Sequence, residues 1–276
     1  MNFSKAKTFL IVMFLAVDIF LLYTILINSS VNPFNKNESY EKVVSLLESK
    51  NIFIDNGAGF LNERNFFNIT LKNMSSEKEY FLNLILGDYN ETKNNTFISD
   101  KGEIAFNKGN FDFVPAKETQ KFSDPLSKEC LEKILKYLEK SGFEVDNLKY
   151  INSVEEKKGI FKITYRHNFY DKELLNSDFV VYIEKNIISR VRGSIYSVNS
   201  FDSKTENLKS AEEILIRFSN IVKNDKKIYI SSIKEGYCHP DEEYATFSLI
   251  PAMEIKLKDG EIYYFDLTDA KLIEKR

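Results

Sequence analysis

The sequence of 276 residues has little of several residue types, and each scarcity argues against a class of protein. It contains two cysteines, two histidines, five prolines, ten glycines and no tryptophan. Two distant cysteines, Cys130 and Cys238, cannot supply a dense disulfide framework, and the sequence leaves open whether they pair. The low Pro and Gly content, together with 23 Phe and 15 Tyr, favours a folded, strand-rich domain over a disordered stalk.

Charge and histidine content narrow the possible functions further. The formal net charge is -3, and acidic and basic residues are interspersed, so the chain lacks the basic stripe of a nucleic-acid-binding protein. Besides His167 there is only His239, which follows Cys238 without the two further spaced ligands of a zinc site. We therefore expect both histidines to be ordinary strand or loop residues, and we expect no metal, cofactor or small-molecule substrate.

Motifs of known catalytic chemistry are scarce. The chain has no HExxH, no GxxxxGK[ST] loop and no GxSxG elbow. Ser75 and Lys78 form an S-x-x-K pattern, but neither S-D-N nor K-T-G accompanies it. Acidic clusters at 155–156 and 241–243 lie in polar stretches that are typical of solvated turns. The sequence thus favours a protein that is not an enzyme.

A long apolar run, residues 9–27, stands near the start of the chain and contains a single charge. As a helix it is about 28 Å long, close to the roughly 30 Å hydrocarbon core of a bilayer. It is longer than the apolar region of a cleaved secretory signal, and no small-x-small site follows it, so we expect an uncleaved transmembrane helix at 8–28. Lys5 and Lys7 precede it, which predicts a cytoplasmic segment at 1–7 and an extracytoplasmic remainder.

Asp18 is the charge inside this run. A carboxylate near the middle of a membrane costs about 2.5 to 3.5 kcal/mol on the insertion scale, so such residues usually face another helix or a polar cavity. Two interpretations remain open: Asp18 contacts a partner helix, or a very hydrophobic helix tolerates a protonated acid. The first makes Asp18 a partner-binding residue within the membrane.

Amphipathic patterns predict three helices after a linker at 29–38. The first covers 39–50. The second has Asp124 as N-cap and Pro125 at its first position, and it ends at Gly142. The third begins at Ser210, where Glu213 three residues later completes a capping box.

Segments rich in Phe, Ile, Leu, Tyr and Val predict strands between and after the helices. They are 65–71, 79–86, 96–106, 148–154, 159–167, 178–184, 187–198, 227–234, 244–249, 253–258 and 261–267. Asp259 and Gly260 separate the last two, which predicts a hairpin with a type I′ turn.

The order of these elements suggests a repeat. The segment from Tyr150 follows the second helix at nearly the same distance as the segment from Tyr229 follows the third. We predict an α+β fold of repeated helix-plus-antiparallel-sheet modules, with boundaries at 39–120, 121–200 and 201–276. A helix-plus-meander domain without duplication would show similar spacing between its elements.

Both ends of the chain resemble a known family. The opening MNFSKAKTFLIVMFL, with Asp18 and then IFLLY, and the closing PAMEIKL, DG and YYFD resemble the YycH/YycI family of membrane-anchored accessory regulators of an essential two-component sensor kinase. The closing strands are also similar to PepSY-like modules. The family carries a neutral polar residue such as Asn where this chain has Asp18, and the charge puts the intramembrane contact in question.

The resemblance implies a non-enzymatic function. Members of the family bind the sensor histidine kinase and a YycH-like companion in the cell membrane, and they restrain a kinase that controls cell-wall metabolism. An alternative from another class is a membrane-tethered, PepSY-like inhibitor or chaperone of an exported protease. A third hypothesis is a cell-wall enzyme that uses Ser75.

Overall fold

The computed structural model describes residues 13–14, 17–18, 36–55, 58, 65–92, 95–107, 109–116, 121–122, 124–205, 207–222, 226–240 and 245–276. The chain divides into two compact units, 1–50 and 51–276. The predicted cytoplasmic segment 1–7, most of the predicted span 8–28, most of the linker 29–38 and the acidic run 241–243 lie outside the described residues.

In the first unit, two short stretches at 13–14 and 17–18 are helical, and helix α1 covers Lys36–Ser49. The helix therefore begins three residues before its predicted start. Val43 and Leu47, on its predicted apolar face, are buried. Within the described part of the chain, no helix combines the length and apolar character needed to cross a membrane.

The second unit holds three helices and sixteen strands among its described residues. The helices are α2 (Lys78–Ile85), α3 (Lys128–Lys140) and α4 (Ala211–Ile221). The strands are β1 (Ile52–Ile54), β2 (Phe67–Asn73), β3 (Asn90–Glu91), β4 (Thr96–Ile98), β5 (Gly102–Asn107), β6 (Asn110–Pro115), β7 (Leu148–Lys157), β8 (Ile160–Phe169), β9 (Lys172–Glu184), β10 (Ile187–Gly193), β11 (Tyr196–Lys204), β12 (Ile228–Cys238), β13 (Thr246–Ser248), β14 (Ile250–Leu257), β15 (Ile262–Asp266) and β16 (Leu272–Lys275). The α+β class is thus confirmed.

A helix followed by a four-stranded antiparallel meander occurs three times. Helix α2 precedes β3 to β6, α3 precedes β7 to β10, and α4 precedes β12, β14, β15 and β16. Strand β13 leaves the third meander and pairs with β2, which also pairs with β11 in a separate three-stranded sheet. Duplication and the three module boundaries stay predictions.

Two contacts join the meanders into one thirteen-stranded sheet. We call the antiparallel pairing of β6 with β10 the apolar seam, because its inner side chains, Phe113 and Val191, are buried. We call the parallel contact of β9 with β12 the polar seam. It has a single paired position, Tyr237 with Leu174.

The main hydrophobic core lies on the side of the apolar seam. Phe143, directly after α3, has its ring centroid 5.3 Å from that of Phe111, 5.6 Å from Phe113 and 6.3 Å from Phe179. Helix α3 adds Cys130, Ile134 and Leu138 to this core. Aromatic pairs at these distances add about 0.5 to 1.5 kcal/mol each beyond the buried area.

One predicted strand is wrong. Most of residues 79–86 belong to helix α2. The buried positions are Phe81, Leu82 and Ile85, and this spacing matches the period of a helix, not the alternation of buried and exposed residues in a strand. A 3₁₀ turn, Met74–Ser76, leads into the helix, and the Asn73 side chain accepts a hydrogen bond from the Ser75 amide.

The predicted start of the second helix is also wrong. Helix α3 begins at Lys128, and Ser127 is its N-cap, accepting a hydrogen bond from the Cys130 amide at 3.2 Å. Asp124 instead accepts from the Leu126 amide, so it closes the turn before the helix. The predicted end at Gly142 is confirmed by its φ of +91°.

Other local predictions are confirmed in part. The capping box of Ser210 and Glu213 is present at the start of α4. Predicted strand 187–198 is two strands in different sheets, β10 and β11. The predicted hairpin joins β14 to β15, but only Gly260 of its turn has a positive φ, so the turn is not type I′.

Candidate functional site

Asp18, the predicted partner-binding residue, lies on a helical stretch and is exposed. Its neighbours Met13, Phe14 and Val17 are also helical, with exposed fractions of 52%, 59% and 45%. In the two described stretches, 13–14 and 17–18, the Asp18 carboxylate and the three apolar side chains are thus all exposed.

A polar cleft of about 690 Å³ is the second candidate site, and it lies within the unit 51–276. Its volume is in the range of pockets that hold small ligands. Carboxamides and hydroxyls dominate its lining, which includes Asn73, Asn95, Asn110, Asn176, Ser75, Ser76, Ser177 and Ser194. The charged side chains of the lining are two cations, Lys78 and Arg276, and two anions, Asp178 and Glu274. Their formal charges cancel.

The structure brings both ends of the S-x-x-K pattern to this cleft. The Ser75 hydroxyl lies 2.7 Å from Asn73 Oδ1 and 2.9 Å from the Gly109 carbonyl. Neither acceptor is a base that could take its proton. Lys78 Nζ donates to Asn95 Oδ1 and lies 5.3 Å from the Phe106 ring centroid, within cation–π distance.

The opposite wall comes from the middle of β9 and the end of β16. Asn176 binds the backbone of His239 at both ends: Oδ1 accepts from its amide at 2.7 Å, and Nδ2 donates to its carbonyl at 2.9 Å. Arg276 donates to the Asn176 carbonyl at 2.7 Å and to Glu274 at 2.6 Å. These contacts hold the wall in one arrangement.

A charge network adjoins this wall at the polar seam and shares Asp178 with it. Arg166 donates to Asp178 at 2.8 Å and to Glu254 at 3.1 Å, so it links β8 and β9 to β14 across the seam. The exposed fractions of Arg166 and Glu254 are 8% and 3%. Burial alone would lower the pKa of Arg166, but the charges of Glu254 and Asp178 raise it above its ordinary value. The guanidinium therefore stays charged.

Both histidines lie near the cleft. His167 is buried, and its Nε2 lies 2.9 Å from the Ser194 carbonyl, which fixes this nitrogen as the donor. Burial lowers the pKa of His167 to about 4, so the ring is neutral at pH 7. His239 lines the cleft, with its ring centroid 4.1 Å from that of Phe247.

The cysteines are both free and buried, which answers the question that the sequence left open. Burial raises the pKa of Cys130 to about 11 and also raises the pKa of Cys238. Neither thiol is activated. In the ranges that the structure describes, no group of three or more His, Cys, Asp or Glu side chains could hold a metal ion.

Sequence reasoning missed the cleft as a site. Its lining comes from segments far apart in the chain, from Asn73 to Arg276, and no motif connects them. The available signal was weak: Asn and Ser residues cluster at predicted strand ends, where they also occur as ordinary turn residues. The charge network was missed because Arg166 and Glu254 are 88 residues apart.

Comparisons with known proteins bear on the fold alone. A scan of protein-family models finds no match for the chain, and a search of curated proteins finds none. Twelve solved chains match its structure. One is an uncharacterized protein from Eubacterium rectale, with a TM-score of 0.51 and 11% sequence identity, covering 85% of this chain and 98% of that chain. The shared fold therefore extends over most of both chains.

Proposed function

We propose that this protein is a membrane-anchored, non-enzymatic regulator that binds a two-component sensor histidine kinase, together with a YycH-like companion, and restrains it. In this proposal residues 8–28 cross the membrane, and the unit 51–276 lies outside the cell. The resemblance of both chain ends to the YycH/YycI family supports the proposal, and so does the run of helix-and-meander units between them.

The observation that carries the proposal is the position of Asp18. The carboxylate is exposed on a helical stretch whose apolar neighbours are exposed too. A helix of this composition in a membrane gains from a partner helix that offers a hydrogen-bond donor to the carboxylate. The kinase's own transmembrane helices would supply such a donor.

The proposal is tested by replacing Asp18 in the full chain. The tagged chain is purified from membranes that contain the kinase, and the amount of co-purified kinase and its autophosphorylation are measured. We expect Asp18→Leu to weaken the complex about 3- to 18-fold, since one interhelical hydrogen bond contributes about 0.6 to 1.7 kcal/mol. Kinase autophosphorylation should rise accordingly.

Two matched variants sharpen this test. Asp18→Asn keeps a hydrogen-bonding side chain and should retain most of the complex, whereas Val17→Leu changes an exposed neighbour without adding or removing polarity. If Asp18→Leu leaves the complex and the kinase output unchanged, the helix contact is wrong.

The polar cleft favours a second candidate, the inhibitor or chaperone of an exported protease. A cleft of about 690 Å³ with fixed amide and hydroxyl groups could hold a polar loop of another protein. This candidate predicts that the full chain inhibits a purified exported protease, and that Asp18→Leu leaves the inhibition intact. The two candidates are thus separated by the same variant.

A further inference from the structure

The polar cleft of the unit 51–276 has a buried floor and an exposed rim. At the floor, Asn73, Ser194 and Tyr196 have exposed fractions of 7%, 3% and 4%. At the rim, Asn95 and Arg276 are exposed. A cavity that runs from buried polar groups to the surface can enclose most of a small ligand. A site in this cleft does not depend on the kinase contact proposed above.

The hydroxyls of the lining are held by the protein and can still accept hydrogen bonds. Ser194 Oγ lies 3.0 Å from the Gly109 carbonyl and 2.9 Å from Asn110 Oδ1. Ser76 donates to the Asn73 carbonyl at 2.6 Å. A hydroxyl has one donor and two lone pairs, so a serine that donates to the protein keeps acceptor capacity for a ligand. Since these side chains are already oriented, a ligand does not have to order them.

Lys78 supplies hydrogen-bond donors to the same cleft. Its ammonium group has three N–H donors, of which Asn95 Oδ1 accepts one. The other described contacts of Nζ are with the rings of Phe97 and Phe106, at 5.1 Å and 5.3 Å from their centroids. The cleft therefore offers donors and acceptors together. This suits a ligand whose own groups both donate and accept, as hydroxyls do.

The charges of the lining favour a neutral ligand. Asp178 accepts from Arg166 at 2.8 Å, and Glu274 accepts from Arg276 at 2.6 Å, so each carboxylate already has a cation beside it. An anionic ligand would lie near these two carboxylates, and a cationic ligand would lie near Lys78 and Arg276. A ligand without net charge avoids both repulsions.

Aromatic rings adjoin the hydroxyl-binding groups. Phe106 lines the cleft beside Lys78 and is half-buried. Tyr196 lies at the floor, and its ring centroid is 5.8 Å from that of His239. The face of an aromatic ring is electron-rich, so it attracts the C–H groups that cover one face of a sugar ring. Rings beside groups that bind hydroxyls are therefore suited to a carbohydrate.

We propose that this cleft binds a neutral saccharide of one or two sugar rings. The sugar hydroxyls accept from the Lys78 ammonium and donate to the hydroxyl oxygens of Ser76 and Ser194, and a C–H face of the sugar packs against an aromatic ring of the lining. The cleft volume of about 690 Å³ is in the range of pockets for small ligands.

A saccharide suits these contacts better than a loop of another protein. An extended peptide is commonly bound through backbone groups at a free strand edge. In this cleft, side chains already occupy two of the backbone acceptors. The Gly109 carbonyl accepts from Asn73 and Ser75, both at 2.9 Å, and the Asn176 carbonyl accepts from Arg276 at 2.7 Å. Recognition therefore falls to the side chains, which are amides and hydroxyls.

Isothermal titration calorimetry of the full chain tests the site. The chain is kept in micelles of a phosphocholine detergent, because the head group of this detergent contains no sugar. The probes are glucose, N-acetylglucosamine, cellobiose and chitobiose, with glucuronate as the charged counterpart of glucose and a blocked peptide of serine and asparagine as the loop mimic. We expect at least one neutral saccharide to bind with a Kd of about 1 mM or below. Glucuronate should bind about tenfold more weakly than glucose, or weaker still.

Two variants with matched controls locate the binding. Ser76→Phe places a ring in the cleft at an exposed position and should abolish binding, whereas Ser203→Phe adds the same ring at an exposed serine outside the lining and should leave binding unchanged. Lys78→Met removes the ammonium donors and should weaken binding about tenfold or more. Its control is Lys136→Met, at an exposed position of α3.

Circular dichroism checks that each variant keeps its fold. If Ser76→Phe does not fold, Lys78→Met and its control decide the location. The proposal is overturned if none of the neutral saccharides binds at about ten times the stated concentration. Binding that survives both cleft variants would place the sugar elsewhere and contradict it. A peptide that binds where no saccharide does would assign the cleft to a protein loop, and glucuronate that binds more tightly than glucose would make it an anion site; either result contradicts the proposal.

Discussion

The two seams of the large sheet join similar helix-and-meander units, and both combine apolar contacts with ion pairs. The Arg166–Glu254 pair is buried at the polar seam, whereas Arg190 and Arg192, which bind Asp112, are exposed at the apolar seam. At the apolar seam, three residue pairs of β6 and β10 are backed by rings, with Phe111, Phe143 and Phe179 in one cluster. At the polar seam, one residue pair of β9 and β12 is backed by the charges of Arg166 and Glu254. The difference shows that one fold can place the ion pairs between its units either at the surface or in the interior.

The two chemistries predict different responses to substitution. Apolar packing loses stability in proportion to the atoms removed, and a second loss adds to the first. A buried ion pair behaves differently, because removing one partner strands the other in a poorly solvated site, while removing both leaves no charge to solvate. The contrast can be measured by chemical denaturation of the full chain, followed by tyrosine fluorescence.

The largest effect is expected for Arg166→Met. The change leaves the Glu254 carboxylate buried without its guanidinium partner, and we expect the free energy of unfolding to fall by about 3 to 5 kcal/mol. Adding Glu254→Met in the same chain should recover part of this loss, because Asp178 and Glu173 keep their charges without Arg166. The measurement is urea unfolding of the parent, the two single variants and the double variant.

The matched cycle at the apolar seam uses Phe143→Leu and Phe111→Leu, whose rings are in contact. Here the double variant should be less stable than either single variant. Rescue at the apolar seam, or its absence at the polar seam, would remove the distinction between them.

The second effect concerns the close approach of backbones at the polar seam. A Cβ on Gly236 would lie 2.4 Å from the Glu173 carbonyl oxygen and 2.8 Å from Leu175 Cγ. Since the nearest atom belongs to the backbone, β9 and β12 must move apart, and we expect Gly236→Ala to cost about 3 kcal/mol. Urea unfolding measures the loss.

Gly159→Ala is the control for this substitution. A Cβ there meets nothing within 4 Å, and only the positive φ of +79° opposes it, so the expected cost is about 1 kcal/mol. Equal losses at Gly236 and Gly159 would show that the two strands are not held closely at the polar seam.

Only some local features of the fold could be predicted from the sequence. The capping box at Ser210 and the helix end at Gly142 were predictable, because both depend on residues within one turn. Helix α2 was mistaken for a strand, since an eight-residue segment rich in Phe, Ile and Leu is ambiguous between the two periods. Asp124 was mistaken for a helix cap, because the same side chain also closes turns.

The sites depend on contacts between distant segments. Asn176 and His239 are 63 residues apart, and no local pattern predicts that one clamps the backbone of the other. Strand β11 was missed, because the predicted strand 187–198 covers only its first three residues and the change of sheet after Gly193 has no periodic signal. Asp18 could be singled out because a charge within an apolar run is unusual on composition alone.

The smallest expected effect concerns two buried titratable side chains, Arg166, which has counter-charges beside it, and His167, which is buried without one. Arg166 stays charged beside two carboxylates, whereas burial lowers the pKa of His167 to about 4 from an ordinary 6.5. Between pH 6.5 and pH 4 the His167 ring is protonated in the unfolded chain but neutral in the folded chain. The contribution of the neutral ring to the free energy of unfolding is therefore fully present above pH 6.5 and is lost as the pH falls toward 4. At pH 5 the loss of this contribution lowers the free energy of unfolding by about 2 kcal/mol.

The variant His167→Gln tests this, because its amide can still donate to the Ser194 carbonyl. In this variant the decrease in the free energy of unfolding between pH 7 and pH 5 should be smaller by that amount. Parallel pH profiles for the parent and the variant would mean that the folded state accommodates a charged ring at this position, and the contrast with Arg166 would fail.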